Sequence, residues 1–345
     1  MRKNVMLTIL LVIAFLSATA SAYGQINVPR KNIPSGLSVE AKQNIEALYS
    51  TDAETRAGAA FKLGQLNAAA AIPFLIAALD DGAAVSGQFC EVDNSYQAAP
   101  WGLDGEEGRA CSPGQAATRA IIKIGEPAVE PLIHALNAAH WRARKNAAYA
   151  LGVIGGERAV KPLVAAMKDE AWQVRTQATG SMIYVGNAST VKPLLEALED
   201  DVWQVRSAAA TSLRVKGDGR AVDALIDALK DEVWQVRAEA ALALGFQGSG
   251  GRIFEYLYLS LQDTHPEVRN MAAVALAHRG YGSIAAPWIV SLTDERVGTR
   301  QIAANALGII ADPTAVKPLT DALQDSDEIV RKRARWALEE IRKGR

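Results

Sequence analysis

Trp172-Gln173-Val174-Arg175, Trp203-Gln204-Val205-Arg206 and Trp234-Gln235-Val236-Arg237 are near-copies of one tetrapeptide, set 31 residues apart. One step back, the same register falls on Trp141-Arg142-Ala143-Arg144. Going forward it meets Val268-Arg269 after one inserted residue, then Thr299-Arg300 and Val330-Arg331. A second column keeps the period through Pro131, Pro162, Pro193 and Ala224, and later Pro287 and Pro318. A fixed period of this length is the signature of an array of supersecondary units, each unable to bury its apolar face alone.

Each unit reads as two helices. In Ala221 to Lys230, the residues Val222, Leu225, Ile226 and Leu229 recur at helical spacing. Asp231-Glu232 then opens a second helix with acids suited to a positive helix N-terminus. Val233, Val236, Ala240, Ala243 and Leu244 form its apolar stripe, and Gly245 and Gly248 mark its end. About nine such units fit between residue 37 and residue 345, the last closing on a helix whose Lys332, Arg333, Arg335, Arg342 and Lys343 suit a solvated cap.

Units such as Ala221-Val222-Asp223-Ala224-Leu225 through Val233-Trp234-Gln235-Val236-Arg237 resemble HEAT repeats, above all the short class found in phycobilisome lyases. The resemblance implies an all-α, right-handed α-solenoid of about nine two-helix repeats, with the second helices lining a concave face. It also implies that aspartate–arginine pairs form a ladder between adjacent repeats. Six units place aspartate six residues before the column arginine: Asp169/Arg175, Asp200/Arg206, Asp231/Arg237, Asp263/Arg269, Asp294/Arg300 and Asp325/Arg331. An arginine fork can serve a carboxylate and the open carbonyls of a turn together, so these pairs are read as structural. Arg144 is expected to lack its acid, because Ala138 stands in the acidic position.

The tryptophan column is the candidate binding feature. Trp141, Trp172, Trp203 and Trp234 fall at the edge of the core stripe, beside the outward positions of the second helices. Those positions hold Arg142, Lys145 and Tyr149, then Gln173 and Gln177, then Gln204, then Gln235 and Glu239. Tryptophan, tyrosine and arginine are the usual hot spots of binding surfaces. Packing between repeats is the competing role for the indoles, although Pro266, Val297 and Glu328 hold the equivalent positions later on.

Two further segments break the pattern. Arg2 and Lys3, the apolar run from Val5 to Leu16 and the small residues Ala20-Ser21-Ala22 read as a signal peptide over 1–22. A linker over 23–36 follows, and export to the periplasm or the medium is expected, with no stable membrane insertion after cleavage. About 27 residues are inserted in the second unit, at roughly 82–112, bringing Cys90 and Cys111. In an oxidising compartment the two would form a disulfide, worth roughly 3 kcal/mol in the chain-entropy picture. The insert can serve as a binding loop or as a neutral elaboration; its acids match no oxygen-ligand loop.

Chemistry is hard to find in the pattern. His134, His140, His265 and His278 are never followed by glutamate, which fails the His-Glu pairs of di-iron HEAT-like hydroxylases. No phosphate loop or nucleophile motif is present, so no cofactor, metal or enzymatic activity is expected. The chain carries 37 basic against 38 acidic residues, and loss of Arg2 and Lys3 leaves 35 against 38. That balance argues against nucleic acid. The expectation is an exported, monomeric scaffold that binds a protein or peptide on its second helices. The alternative is a lyase-like or oxidoreductase-like HEAT-repeat enzyme, or accessory subunit, acting on a bound small molecule.

Overall fold

The computed structural model describes residues 26–86, 112–247, 251–279 and 285–343. The signal-peptide reading and both cysteines fall outside the described residues. Two compact units divide the chain between Gly186 and Asn187.

The first unit holds four helix pairs: α1 (Val39–Ala47) with α2 (Ala53–Gln65), α3 (Ile72–Ala77) with α4 (Pro113–Ile124), α5 (Val129–Ala135) with α6 (Trp141–Ile154), and α7 (Gly156–Ala166) with α8 (Trp172–Val185). Five pairs make the second unit. They are α9 (Val191–Ala197) with α10 (Trp203–Lys216), α11 (Val222–Ala228) with α12 (Trp234–Leu244), α13 (Gly251–Ser260) with α14 (Pro266–His278), α15 (Ala285–Ser291) with α16 (Val297–Ile310), and α17 (Val316–Ala322) with α18 (Glu328–Lys343). Each second helix packs on its own first helix and on the second helix of the next pair: α2 on α4, α4 on α6 and α6 on α8 in one unit, α10 on α12, α12 on α14, α14 on α16 and α16 on α18 in the other. The all-α repeat fold is therefore the observed one, in nine pairs among the described residues.

The sequence columns explain the packing. The first helices are short, and Pro131, Pro193 and Pro318 sit in their first turns, where a missing N–H costs nothing. The leucine after each proline, Leu132, Leu163, Leu194 and Leu319, is fully buried, as is Leu225 after Ala224. The second helices are rich in buried alanine, such as Ala147, Ala148 and Ala150 or Ala208, Ala209 and Ala210. Alanine favours helix and lets neighbouring backbones approach closely. At Gly245 the approach is closest: a Cβ there would lie 2.7 Å from the Cα of Ala275 on the next second helix.

The arginine column forms the ladder, one repeat out of step with the sequence pairing. Arg144 Nε and Nη2 donate to Asp169 at 2.7 and 2.8 Å, 25 residues on, while its Nη1 donates to the Ala138 and Ala139 carbonyls. Arg206–Asp231, Arg237–Asp263 and Arg300–Asp325 repeat the fork. Arg175 Nη1 likewise donates to the carbonyl oxygens of Asp169 and Glu170 in its own repeat. Each carboxylate also accepts the N–H two residues on, as Asp231 does from Val233 at 2.8 Å. Arg144 thus has an acid after all, and the gap falls one repeat earlier. There Gly114 stands in the arginine position, and Ala138 is the acid it would have needed. In the first rung Arg56 pairs with Asp81, both buried.

Asp231→Asn removes a nearly buried charge from its fork and is expected to cost about 2–4 kcal/mol. Asp223→Asn, in an exposed pair with Arg252, is expected to cost under about 0.5 kcal/mol. Urea unfolding midpoints of the two variants check this; equal midpoints contradict it.

Candidate binding face of the second helices

Numbering each second helix from its opening residue, positions 2, 6, 9 and 13 lie within about 60° of one another at 3.6 residues per turn. This stripe turns away from the first helix. It carries Arg142, Asn146, Tyr149 and Val153 on α6, and Gln173, Gln177, Gly180 and Tyr184 on α8. On α10 it carries Gln204, Ala208, Thr211 and Val215, and from α12 onward Gln235, Glu239, Leu242 and Phe246. The N-terminal rim is polar and half-buried, the middle is mixed in size and buried or half-buried, and the C-terminal rim is apolar and exposed.

The apolar rim is what sequence reasoning missed. Val153, Tyr184, Val215, Phe246 and Ile309 are each at least 41% exposed. They follow the 31-residue period, with His278 in the remaining place after the inserted residue. Extending the tryptophan register by twelve residues would have found them. Phe246 is the most elaborated: its ring lies 3.9 Å from His278, and the Arg214 guanidinium stands 5.6 Å from its centroid.

The indoles sit elsewhere. Each tryptophan is the first residue of its helix, about 100° off the stripe, and half-buried. Trp234 stacks on His265 at 3.9 Å and 7°, the residue capping α14 in the next repeat. Trp141 faces cations instead, with the Arg142 guanidinium 4.7 Å and the Lys145 ammonium 5.3 Å from its ring. Arg142 also lies against Gly82, and Asn146 donates to the Leu79 carbonyl at 2.8 Å, tying this end of α6 to the second repeat. The polar residues Lys145, Tyr149, Gln173, Gln177, Gln204 and Gln235 are all half-buried.

Glu239 has the most distinctive environment of the twelve. Burial pushes its carboxyl above the ordinary value of 4.5. The Thr211 hydroxyl, donating at 2.9 Å, and the charge of Arg214 pull the other way and are outweighed. Glu267 adds a like charge from α14.

HEAT-repeat family profiles match residues 114–183, 184–251 and 255–339, and a PBS lyase HEAT-like repeat profile matches 55–81. The chain belongs to the HEAT-repeat family. No curated protein matches its sequence. Among solved structures it is similar to Escherichia coli YibA, at 22% identity over 73% of this chain and 93% of that one, with a TM-score of 0.50. Human deoxyhypusine hydroxylase is 21% identical over 67% and 90%, with a TM-score of 0.32. The phycocyanin lyase complex of CpcE and CpcF from a Nostoc species is 23% identical over 61% and 94%, with a TM-score of 0.42. At these identities the likeness is one of fold. The expectation of a non-enzyme is corrected all the same: enzymes stand among the chain's structural neighbours, and that expectation is not supported.

Because its folded-state pKa is raised, Glu239 contributes stability below its ordinary value, and that contribution is lost as pH rises through the folded value. Glu239→Gln is therefore expected to melt higher than the wild type at pH 8 and level with it near pH 4, as ~4.5 is the ordinary glutamate value. A constant difference across that range contradicts the assignment.

Proposed function

We propose that this HEAT-repeat protein binds a protein or peptide through the stripe of its second helices, and that it does so after export. The exposed apolar rim supports the reading. A large apolar side chain held exposed at the same place in five repeats has no role in the repeat's own core, whereas aromatic anchors beside polar groups suit a partner. Gln173, Gln204 and Gln235 supply amide donors and acceptors at the opposite rim, as an extended backbone requires. The N-terminal run of Arg2, Lys3 and Val5 to Leu16 is the ground for export. Among the described residues no helix is long and apolar enough to cross a membrane.

A second reading rests on Glu239. A carboxyl that keeps its proton above the ordinary range, between a threonine hydroxyl and an arginine, is a candidate general acid or base. On this reading the chain is an enzyme, or an accessory subunit, acting on a small molecule bound at α10 and α12.

Capture from cell-envelope extract separates the two. A Val215→Ser/Phe246→Ser variant, with both changes in the second unit, is expected to lose the partner about tenfold or more, at ~1.4 kcal/mol or more for the anchors together. A Val316→Ser control on an exposed first-helix position is expected to retain it. If both variants bind equally, the rim is not the contact. Metabolite extracts altered by the wild type and untouched by Glu239→Gln then favour the second reading.

A further inference from the structure

One rung of the arginine ladder is open. Arg269 is only 5% exposed, and its Nη1 makes the usual bonds to the carbonyls of Asp263 and Thr264, at 2.7 and 3.1 Å. The partner due on its other edge is Asp294. That carboxylate instead accepts from Arg296, at 3.0 Å from both Nε and Nη2. Arg269 Nη2 falls back on the Thr299 hydroxyl at 3.2 Å, and its Nε, buried, has no partner. In Arg144, Arg206, Arg237 and Arg300 the same Nε–Nη2 edge holds a carboxylate at 2.7–3.0 Å.

Two residues particular to this repeat, Arg296 and Thr299, open the rung. Arg296 replaces the Ala171, Val202, Val233, His265 and Asp327 of the other repeats, and its fork competes for Asp294. Thr299 stands where Val174, Val205, Val236, Val268 and Val330 pack. Ser291, like Ser260 in the preceding repeat, stands where Ala166, Ala197, Ala228 and Ala322 do. Arg296, Thr299 and Ser291 face a cavity of about 40 Å³ that Arg269 also lines, with Leu261, Trp288 and Ile302 as its apolar wall.

We infer that this cavity is a carboxylate-binding site, in which a ligand's carboxylate takes the Nε–Nη2 edge of Arg269 that aspartate fills in the other rungs. Room and charge both fit. A water-sized group needs roughly 10–15 Å³, so the cavity admits about three such groups, the number of heavy atoms in a carboxylate. Arg269 and Arg296 against Asp294 leave one positive charge, which one carboxylate neutralises. An unpaired buried Nε costs free energy that a ligand recovers. Arg296 lies largely in solvent and Asp294 is half-buried, so their pair is only partly shielded from water and yields little by staying closed.

The carboxylate can belong to a free small acid or to the end of a peptide chain, and the probes separate these. The Nε–Hε resonances of the intact, ¹⁵N-labelled chain report occupancy, the Arg269 signal being the one lost in Arg269→Lys. Replacing chloride by acetate at constant ionic strength is expected to shift that signal saturably and to leave those of Arg144, Arg206, Arg237 and Arg300 in place. N-acetyl-glycylglycine is expected to bind more tightly than acetate if chain ends are the true ligand, with its amide inert. Asp294→Asn, which removes the competing charge, is expected to tighten either ligand by about threefold or more. The inference fails if no arginine signal shifts saturably, or if all five shift alike. It fails equally if Asp294→Asn leaves affinity unchanged while moving the Arg269 signal as a lost ion pair would.

Discussion

The arginine–aspartate rung between neighbouring repeats is the contact on which the remaining order depends. A helix pair of about thirty residues has too little apolar surface to fold alone, so each pair takes its stability from its neighbour. Apolar packing between alanine-rich helices is weakly directional and would tolerate sliding. The fork is directional: two bonds fix the carboxylate of one repeat in the plane of the guanidinium of the previous one, while Nη1 ties that arginine to its own turn. Where the rung holds, second helices come close enough that Gly245 has no space for a Cβ against Ala275.

Much of this was legible from period alone. The 31-residue spacing gives helix pairs, their number and the buried leucine column, because stacking repeats must reuse the same positions. The rung partners were legible in type and not in address. Asp169 lies six residues before Arg175 and twenty-five after Arg144, and only the fold says that its carboxylate belongs to Arg144. Arg269 lay deeper still. Its sequence register matches the other arginines, and the competition from Arg296 appears only once both guanidiniums are placed around Asp294.

The binding face was half legible. Glutamines two residues before the column arginine were identified in three repeats, and so was Glu239, although its raised pKa depends on burial that no pattern reports. The indoles drew attention because they are large and regular. Helix geometry puts them a quarter-turn off the outward stripe, and Trp234 spends its ring on His265. Meanwhile Val153, Tyr184, Val215 and Phe246 looked like ordinary members of an apolar helix end. Their exposure, at least 41% each, is a property of the packing that the pattern does not carry.

Function rests on whether that apolar rim meets the partner, and site-specific photo-crosslinking in the native cell tests it most directly. A photoreactive amino acid at Tyr184 or Phe246 reports the second-helix rim, and one at Val316 or Lys161 reports the first helices. Discrete crosslinked products from the rim positions, and none from the first helices, are the predicted result. Products from Val316 or Lys161 with a silent rim would contradict the account and move the partner to the opposite side of each repeat.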